Sequence, residues 1–469
     1  MDKVHQVCPL KGRLGGIRAN DQFDDWQDRK RQIGNQLYSS FLPTFGRNRR
    51  GPLGSPSEIS KAKIKVSRRF ALISHAMMML AGFCISPAGA KQTANSAEDR
   101  LQTLPTEWIL PLPTQDGVTF AQITEKRPID LTRSGGSIAF IWGGKSGKGW
   151  LGSRYYPMDR DLNRDHDITW FQSNLADAVA YRCDGKTPAT TYTYRWGSYM
   201  PVDVTNPRVR DYLFKTYMMP ALAGGEKVIA LDNVSLRNLG GRCGAYREGH
   251  WSPFFSGKTI DPDYATSVLD WVAWLRDRLH REGGRLALNA KIDGDDARSV
   301  RQLVASADIW LLEAGFTRNC KERVSDDRWH SRMDLARWAA ARIPWVDLDK
   351  SCAPPDLLDD DEAQWIVANF LLAKGSQSVL GVIHDGDPSR QLRYPATLNP
   401  PVGHPVAEAV QINTAAMMRM YSKGLVVVNA SSKAVLRFKL PQGVWTDIHG
   451  KPISRTLILS PTAAAVLLH

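Results

Sequence analysis

No Cys-x-x-Cys pair, no Gly-x-Ser-x-Gly turn and no glycine-rich phosphate loop opening a helix behind an early strand occurs in this chain. The first absence argues against a four-thiolate zinc site, the second against a serine hydrolase built on a nucleophile elbow, and the third against a phosphate-cradling dinucleotide domain. Only 10 of the 469 residues are histidine, and no His/Asp cluster is displayed, which leaves a metal-dependent hydrolase or lyase without its ligands. The apolar run Phe70–Phe83 falls short of the ~20 residues that a membrane-spanning helix needs. Internal repeats and low-complexity tracts are missing after Ala90.

What is present is enough apolar residue, 43%, to bury a large core and fill more than one domain. The formal charge of +13 is concentrated at one end. Residues 1–90 carry 15 Lys and Arg against 6 Asp and Glu, so the rest of the chain, with 46 against 42, is close to balanced. A nucleic-acid partner is therefore not expected. Arg68 and Arg69, the apolar run and the small residues Ala88, Gly89 and Ala90 follow the order of a secretory signal, with cleavage near Ala90. The expectation is an exported chain, periplasmic or extracellular, with no stable membrane insertion once the signal is removed. A short anchor or buried helix is the alternative reading of the same run. Four cysteines remain beyond that point, Cys183, Cys243, Cys320 and Cys352, an even number suited to two disulfides with three possible pairings. A bond between Cys243 and Cys320 would brace the loops that follow the two acidic strands described below.

From Gly136 onward, short apolar runs alternate with segments of helical period, the pattern of parallel strands joined by crossover helices. The predicted strands begin at Ser137, Asp177, Lys227, Arg285, Ala307, Ile343 and Gln377, with an eighth in "ATTYTYRW" or near Ile168. Asn206 before Pro207 and Asp261 before Pro262 read as helix N-caps, and Gly283–Gly284 as a helix stop. The fold class expected is α/β, a (β/α)8 barrel, with an open doubly wound sheet as its rival. After Tyr421 the short β runs between Ser, Gly and Pro turns predict a small all-β, sandwich-like module. The predicted organisation is a poorly structured basic extension over 1–66, a signal peptide over 67–90, the barrel over 91–420 and the β module over 421–469.

In a parallel barrel the C-terminal strand ends converge on one mouth, so polar residues there are the candidates for chemistry. They are Trp142, Asp184, Asp232, Asn233, Asn289, Lys291, Glu313, Asp347, Asp349, His384 and Asp385. Asp232 ends the predicted fourth strand and Glu313 the sixth. Cleavage of a glycosidic bond needs two carboxyl groups, one to protonate the leaving oxygen and one to meet the cation forming at the anomeric carbon, and no metal or cofactor. The remaining candidates, together with Trp196, suit recognition of a polyhydroxylated poly- or oligosaccharide: amides and charges for hydroxyls, indoles for sugar faces. Against this stands the plain reading that strand-end acids cap turns or pair with an arginine such as Arg318.

The stretches "YMPVDVTNPRVRDYL", "VIALDNVSLRN", "LALNAK" and "WLLEAGFT", followed by a β module ending "LILSPTAAAVLLH", resemble the bacterial hypothetical-glycosyl-hydrolase group over about Trp108–His469. More distantly they are similar to retaining α-glycosidase barrels whose fourth strand reads Gly-x-x-Leu-Asp-Asn. The resemblance implies Asp232 as nucleophile and Glu313 as acid/base, although this chain carries Glu where those relatives more often carry Asp. A glycan-binding or exopolysaccharide-assembly protein without turnover is the alternative from another class. Asp159, Asp161 and Asn163 alternate as in a calcium loop, but Arg164 and Trp170 stand where such a loop needs Gly and Glu.

Overall fold

The computed structural model describes residues 110, 116–123, 129–193, 197–318, 322–351, 358–384 and 392–469. The basic extension, the signal segment, Trp196, Cys320, Cys352 and Asp385 lie outside the described residues.

Eight parallel strands form the central sheet: β1 (Phe120–Ile123), β2 (Ile138–Trp142), β3 (Leu151–Gly152 and Arg154–Pro157), β4 (Val228–Ser235), β5 (Arg285–Lys291), β6 (Ile309–Glu313), β7 (Trp345–Ser351) and β8 (Ser378–His384). Each pairs with its chain neighbour, and β1 pairs back to β8. The two parts of β3 are separated only by Ser153. The first lies beside β2, with Leu151 opposite Phe140, and the second beside β4, with Tyr156 opposite Leu231. One segment thus joins both edges of the sheet and makes it a barrel.

Strand period sorts the core. Val228, Ala230, Ala287, Ile309, Leu311, Val346, Leu348 and Val379 belong to a cluster made of strand residues and Leu110, the barrel interior. Their alternates Ile229, Leu231, Leu286, Leu288, Trp310, Leu312 and Trp345 pack outward among helix residues such as Trp271, Leu275, Trp365 and Phe370. Burial of each such large side chain contributes roughly 1.5–3 kcal/mol. Among the described residues the longer helices are α1 (Ile168–Asn174), α2 (Pro207–Leu213), α3 (Pro262–Arg281), α4 (Ala297–Ala305), α5 (Asp326–Ala340) and α6 (Asp360–Ala373). Asn206 and Asp261 cap α2 and α3 through side-chain bonds to the amides of Arg208 and Tyr264. Gly283, at φ 73°, lets the chain leave α3 for β5.

Two strand expectations are corrected. The run at Asp177 supplies only Ala180–Tyr181, which pairs antiparallel with Gly244–Arg247 outside the barrel. Ile168 opens α1 instead of a strand, and the described part of "ATTYTYRW", residues 189–193, holds no strand. The true first and third strands are Phe120–Ile123 and the β3 segment. β3 escapes a pattern reading because Gly152 and Ser153 interrupt it and Pro157 ends it, and glycine and proline both argue against a central strand. The Cys243–Cys320 pairing is corrected as well: Cys243 bonds Cys183, their Cα atoms 4.8 Å apart. The antiparallel register of Tyr181 with Gly244 carries both cysteines to one side-by-side position, at a separation a disulfide requires.

The C-terminal part is a five-stranded antiparallel sheet in the order Val410–Asn413, Ala416–Tyr421, Gly424–Asn429, Ala463–Leu468, Thr446–Asp447, with a separate pair Leu436–Lys439 and Thr456–Leu459. One face, with Leu425, Val427 and Leu467, shares a core with Trp445, Leu457 and Leu459. The other, with Val426, Val428 and Val466, joins the main core under α6. Arg419 and Tyr421 reach across to the carbonyl of Leu371 at the end of α6.

Candidate active site

The mouth is built around a bulge in β4. Leu231 lies opposite Leu288 and Val234 opposite Ala290, so Asp232 and Asn233 together face the single residue Asn289 of β5. Asn233 takes up the extra residue with φ 60°, a left-handed conformation that asparagine tolerates better than most residues. The bulge keeps Asp232 in line with interior residues Val228 and Ala230 while Val234 returns to the outer core.

Asp232 is 3% exposed and accepts three side-chain hydrogen bonds. Tyr155 Oη and Asn233 Nδ2 donate to Oδ2 at 2.9 and 2.7 Å, and Asn289 Nδ2 donates to Oδ1 at 2.7 Å. A carboxylate, which only accepts, matches three donors. The same Asn289 nitrogen donates to Glu313 Oε2 at 2.8 Å. Two bonds to one nitrogen hold Asp232 Oδ1 and Glu313 Oε2 no further apart than the sum of those lengths. Asn289 is itself 7% exposed, and Glu313 is half-buried at the end of β6.

One step further along the β5 face, Lys291 is exposed and donates to the hydroxyl of Tyr192, with its ammonium 5.1 Å from the centre of that ring. The guanidinium of Arg160 lies 4.6 Å from the same ring.

Trp142 is buried in the barrel interior. Asp184 sits beside the disulfide, where the amides of Lys186 and Thr187 and the Thr187 hydroxyl bond it. Those bonds, the Thr187 hydroxyl foremost, hold its pKa down at about 2. It closes a turn. His384 ends β8 opposite Ser351. Asp347 alternates with the interior residues Val346 and Leu348, so it lies under the helices with Asp349, away from the mouth. Trp196 and Asp385 lie outside the described residues.

The calcium-like stretch has other employment. Asp159 pairs with Arg242 at 2.6 Å, and Asp161 accepts from His166, Tyr212 and Tyr217. Among the described residues no three His, Cys, Asp or Glu side chains are grouped as for a metal ion, and no helix is long and apolar enough to cross a membrane.

Sequence reasoning missed Tyr155, which lies in the unrecognised strand β3, and Tyr192. A tyrosine flanked by "SR" and "YP" carries no signal of its own.

No protein-family model matches the chain, and no curated protein matches it. Solved structures to which it is similar include glycoside hydrolases. A GH27 β-L-arabinopyranosidase from Geobacillus stearothermophilus is 12% identical at a TM-score of 0.38, over 68% of this chain and 73% of that one. A maltogenic α-amylase from Thermotoga neapolitana is 10% identical at 0.39, over 76% and 98%. A GH31 α-xylosidase from a soil metagenome is 12% identical at 0.34, over 80% and 66%.

Proposed function

We propose that this chain is an exported glycoside hydrolase that cleaves O-glycosidic bonds of a poly- or oligosaccharide with retention, Asp232 serving as nucleophile and Glu313 as acid/base. The observation that carries the reading is the Asn289 amide bonded to both carboxyl groups. It sets an upper limit on the distance between their facing oxygens that agrees with the ~5–5.5 Å of retaining enzymes and is below the ~6.5–9.5 Å that inverting enzymes leave for a water. The roles follow from surroundings. Asp232, buried among three donors, is fixed for attack on an anomeric carbon; Glu313, half-buried, can reach both a leaving oxygen and water.

In the first step Glu313 would give its proton to the glycosidic oxygen as Asp232 forms the glycosyl ester. In the second, Glu313 would take a proton from the water that breaks it. Lys291, Tyr192 and Asn233 rim the pair and are suited to sugar hydroxyls. Export is supported by the Cys183–Cys243 disulfide, which belongs to an oxidising compartment. The two C-terminal antiparallel sheets with a shared core support the sandwich-like module.

The test is reducing-end release from mixed bacterial polysaccharides by the parent, Asp232→Asn and Glu313→Gln, with the anomer first released followed by proton NMR. Release by the parent alone, with the substrate's anomeric configuration kept, is the expected result. Binding without release, equal in all three proteins, would refute the enzyme and leave a glycan-binding protein.

A further inference from the structure

The loop that leaves Glu313 is tied to a pair of buried acids. Ala314 has φ 63°, and its carbonyl, with that of Gly315, accepts from Arg332 Nη1 of α5. The next two amides, of Phe316 and Thr317, donate to Asp349 at 3.2 and 2.8 Å. Asp347 and Asp349 are both fully buried, two positions apart on β7, and among the described residues both oxygens of Asp347 lack a hydrogen-bond partner. Gly315 lies against both acids: a β-carbon there would stand 2.5 Å from Asp347 Oδ1 and 2.9 Å from Asp349 Oδ2. Buried polar groups without partners are rare enough to require a reason.

We propose that Asp349 and Asp347 are positioning residues for Glu313: Asp349 holds the β6 exit loop through its backbone amides, and Asp347 stands against it as a protonated acid. The assignment rests on Glu313 being the acid/base. Among the described residues the charged groups facing the pair are Arg332 of α5, itself paired with Asp293 of the β5 exit loop, and one strand position further Glu362 of α6, which accepts from Ser351. From β6 and β8 the register partners are Leu312, Leu380 and Val382, all apolar. Burial raises both acids, Asp349 to about 6 against the pull of the loop amides. Asp347 is raised well above the carboxylate range by burial and then by the charge of Asp349, with Arg332 opposing. Asp349 therefore ionises first and gains its amide donors. Among the described residues a charge on Asp347 has no donor to meet it, and the loop of Glu313 is the lid that must open to let water in.

Hydrogen exchange at Phe316 and Thr317 in the full chain, corrected for the intrinsic rate at each pH, tests this without reference to catalysis. In Asp349→Asn these amides should exchange at least about tenfold faster at neutral pH, the loss of one bond to a charged acceptor, while Leu231 in β4 stays protected. In the parent their protection should fall from neutral to alkaline pH, and in Asp347→Asn it should stay level. Parent and Asp347→Asn profiles that coincide would overturn the proposal, as would unchanged exchange in Asp349→Asn. A second arm measures kcat and KM against pH on a panel of 4-nitrophenyl glycosides, where Asp347→Asn should move the alkaline limb of kcat and leave KM alone. Altered exchange with no turnover in any protein would leave the loop contact standing and remove the glycosidase. Turnover with coincident exchange profiles would do the reverse.

Discussion

Asp232 and Glu313 share one hydrogen-bond donor, the side-chain nitrogen of Asn289, at 2.7 and 2.8 Å. Neither acid is adjacent to the other in the sheet, since β5 separates β4 from β6. The amide between them converts two separate strand ends into one unit with a fixed gap. Asn289→Ala should therefore lower kcat by about 10²-fold, the scale of losing reactant alignment. Asn289→Asp, which places a third carboxyl where the donor was, should lower it further. Steady-state kinetics of both variants, with circular dichroism to confirm the fold, check this.

Tyr155 donates its hydroxyl to Asp232 Oδ2. Tyr155→Phe should cost about 1 kcal/mol of stability and lower kcat by roughly tenfold, the equivalent of ~1.4 kcal/mol in the barrier. Urea unfolding and turnover measured on the same preparation separate the two effects. A full-rate variant would remove Tyr155 from the site.

For the buried acids the pH sign can be worked out. Asp349 is raised from 3.8 to about 6 and Asp347 is raised well above 3.8 by burial, so between those limits the folded chain holds more protons than the unfolded one. Stability from these groups is fully present below about pH 4 and is lost as pH rises through about 6 and beyond. Asp347→Asn cannot ionise. It should be more stable than the parent at neutral pH, by about 1–3 kcal/mol, with the gap widening on the alkaline side. Denaturant midpoints across pH test it; a parent that gains stability with pH relative to this variant would refute it.

Gly315 is glycine because there is no room for a β-carbon between it and Asp347 and Asp349. Gly315→Ala should cost about 1–3 kcal/mol and slow turnover by displacing the segment next to Glu313. The Asp347→Ala background should relieve part of both losses, a coupling that a double-mutant cycle measures.

The disulfide closes a loop between residues 60 apart in sequence. Cys183→Ser with Cys243→Ser should lower stability by about 2–4 kcal/mol, and the parent's melting temperature should drop under reductant by the same equivalent. The doubly substituted protein should lose that share of the response to reductant.

The sequence alone carried the alternation of apolar runs and amphipathic helices, and with it the barrel class. Runs such as Val228–Leu231 are buried on both faces and bounded by capped helices, and burial on both faces writes itself into composition. It also carried Asp232, Asn233, Asn289 and Glu313 as strand-end polar residues, because a charged or amide side chain beside four buried apolar residues is conspicuous. The same logic overreached at Asp347, which is as conspicuous in sequence and faces the other way. Which face a strand residue takes depends on register, and register depends on partners far away in the chain.

Tertiary structure decided the rest. The β4 bulge that sets Asp232 and Asn233 against Asn289 arises from pairing between strands nearly sixty residues apart, and no local propensity encodes it. Strand β3, split at Ser153 and ended by Pro157, is a strand only because β2 and β4 flank it. Cys243 found Cys183 because two short antiparallel segments brought them together. The acids were legible from residue type, a local property; the gap between them, and the amide that holds it, came from non-local contacts that only the folded chain contains.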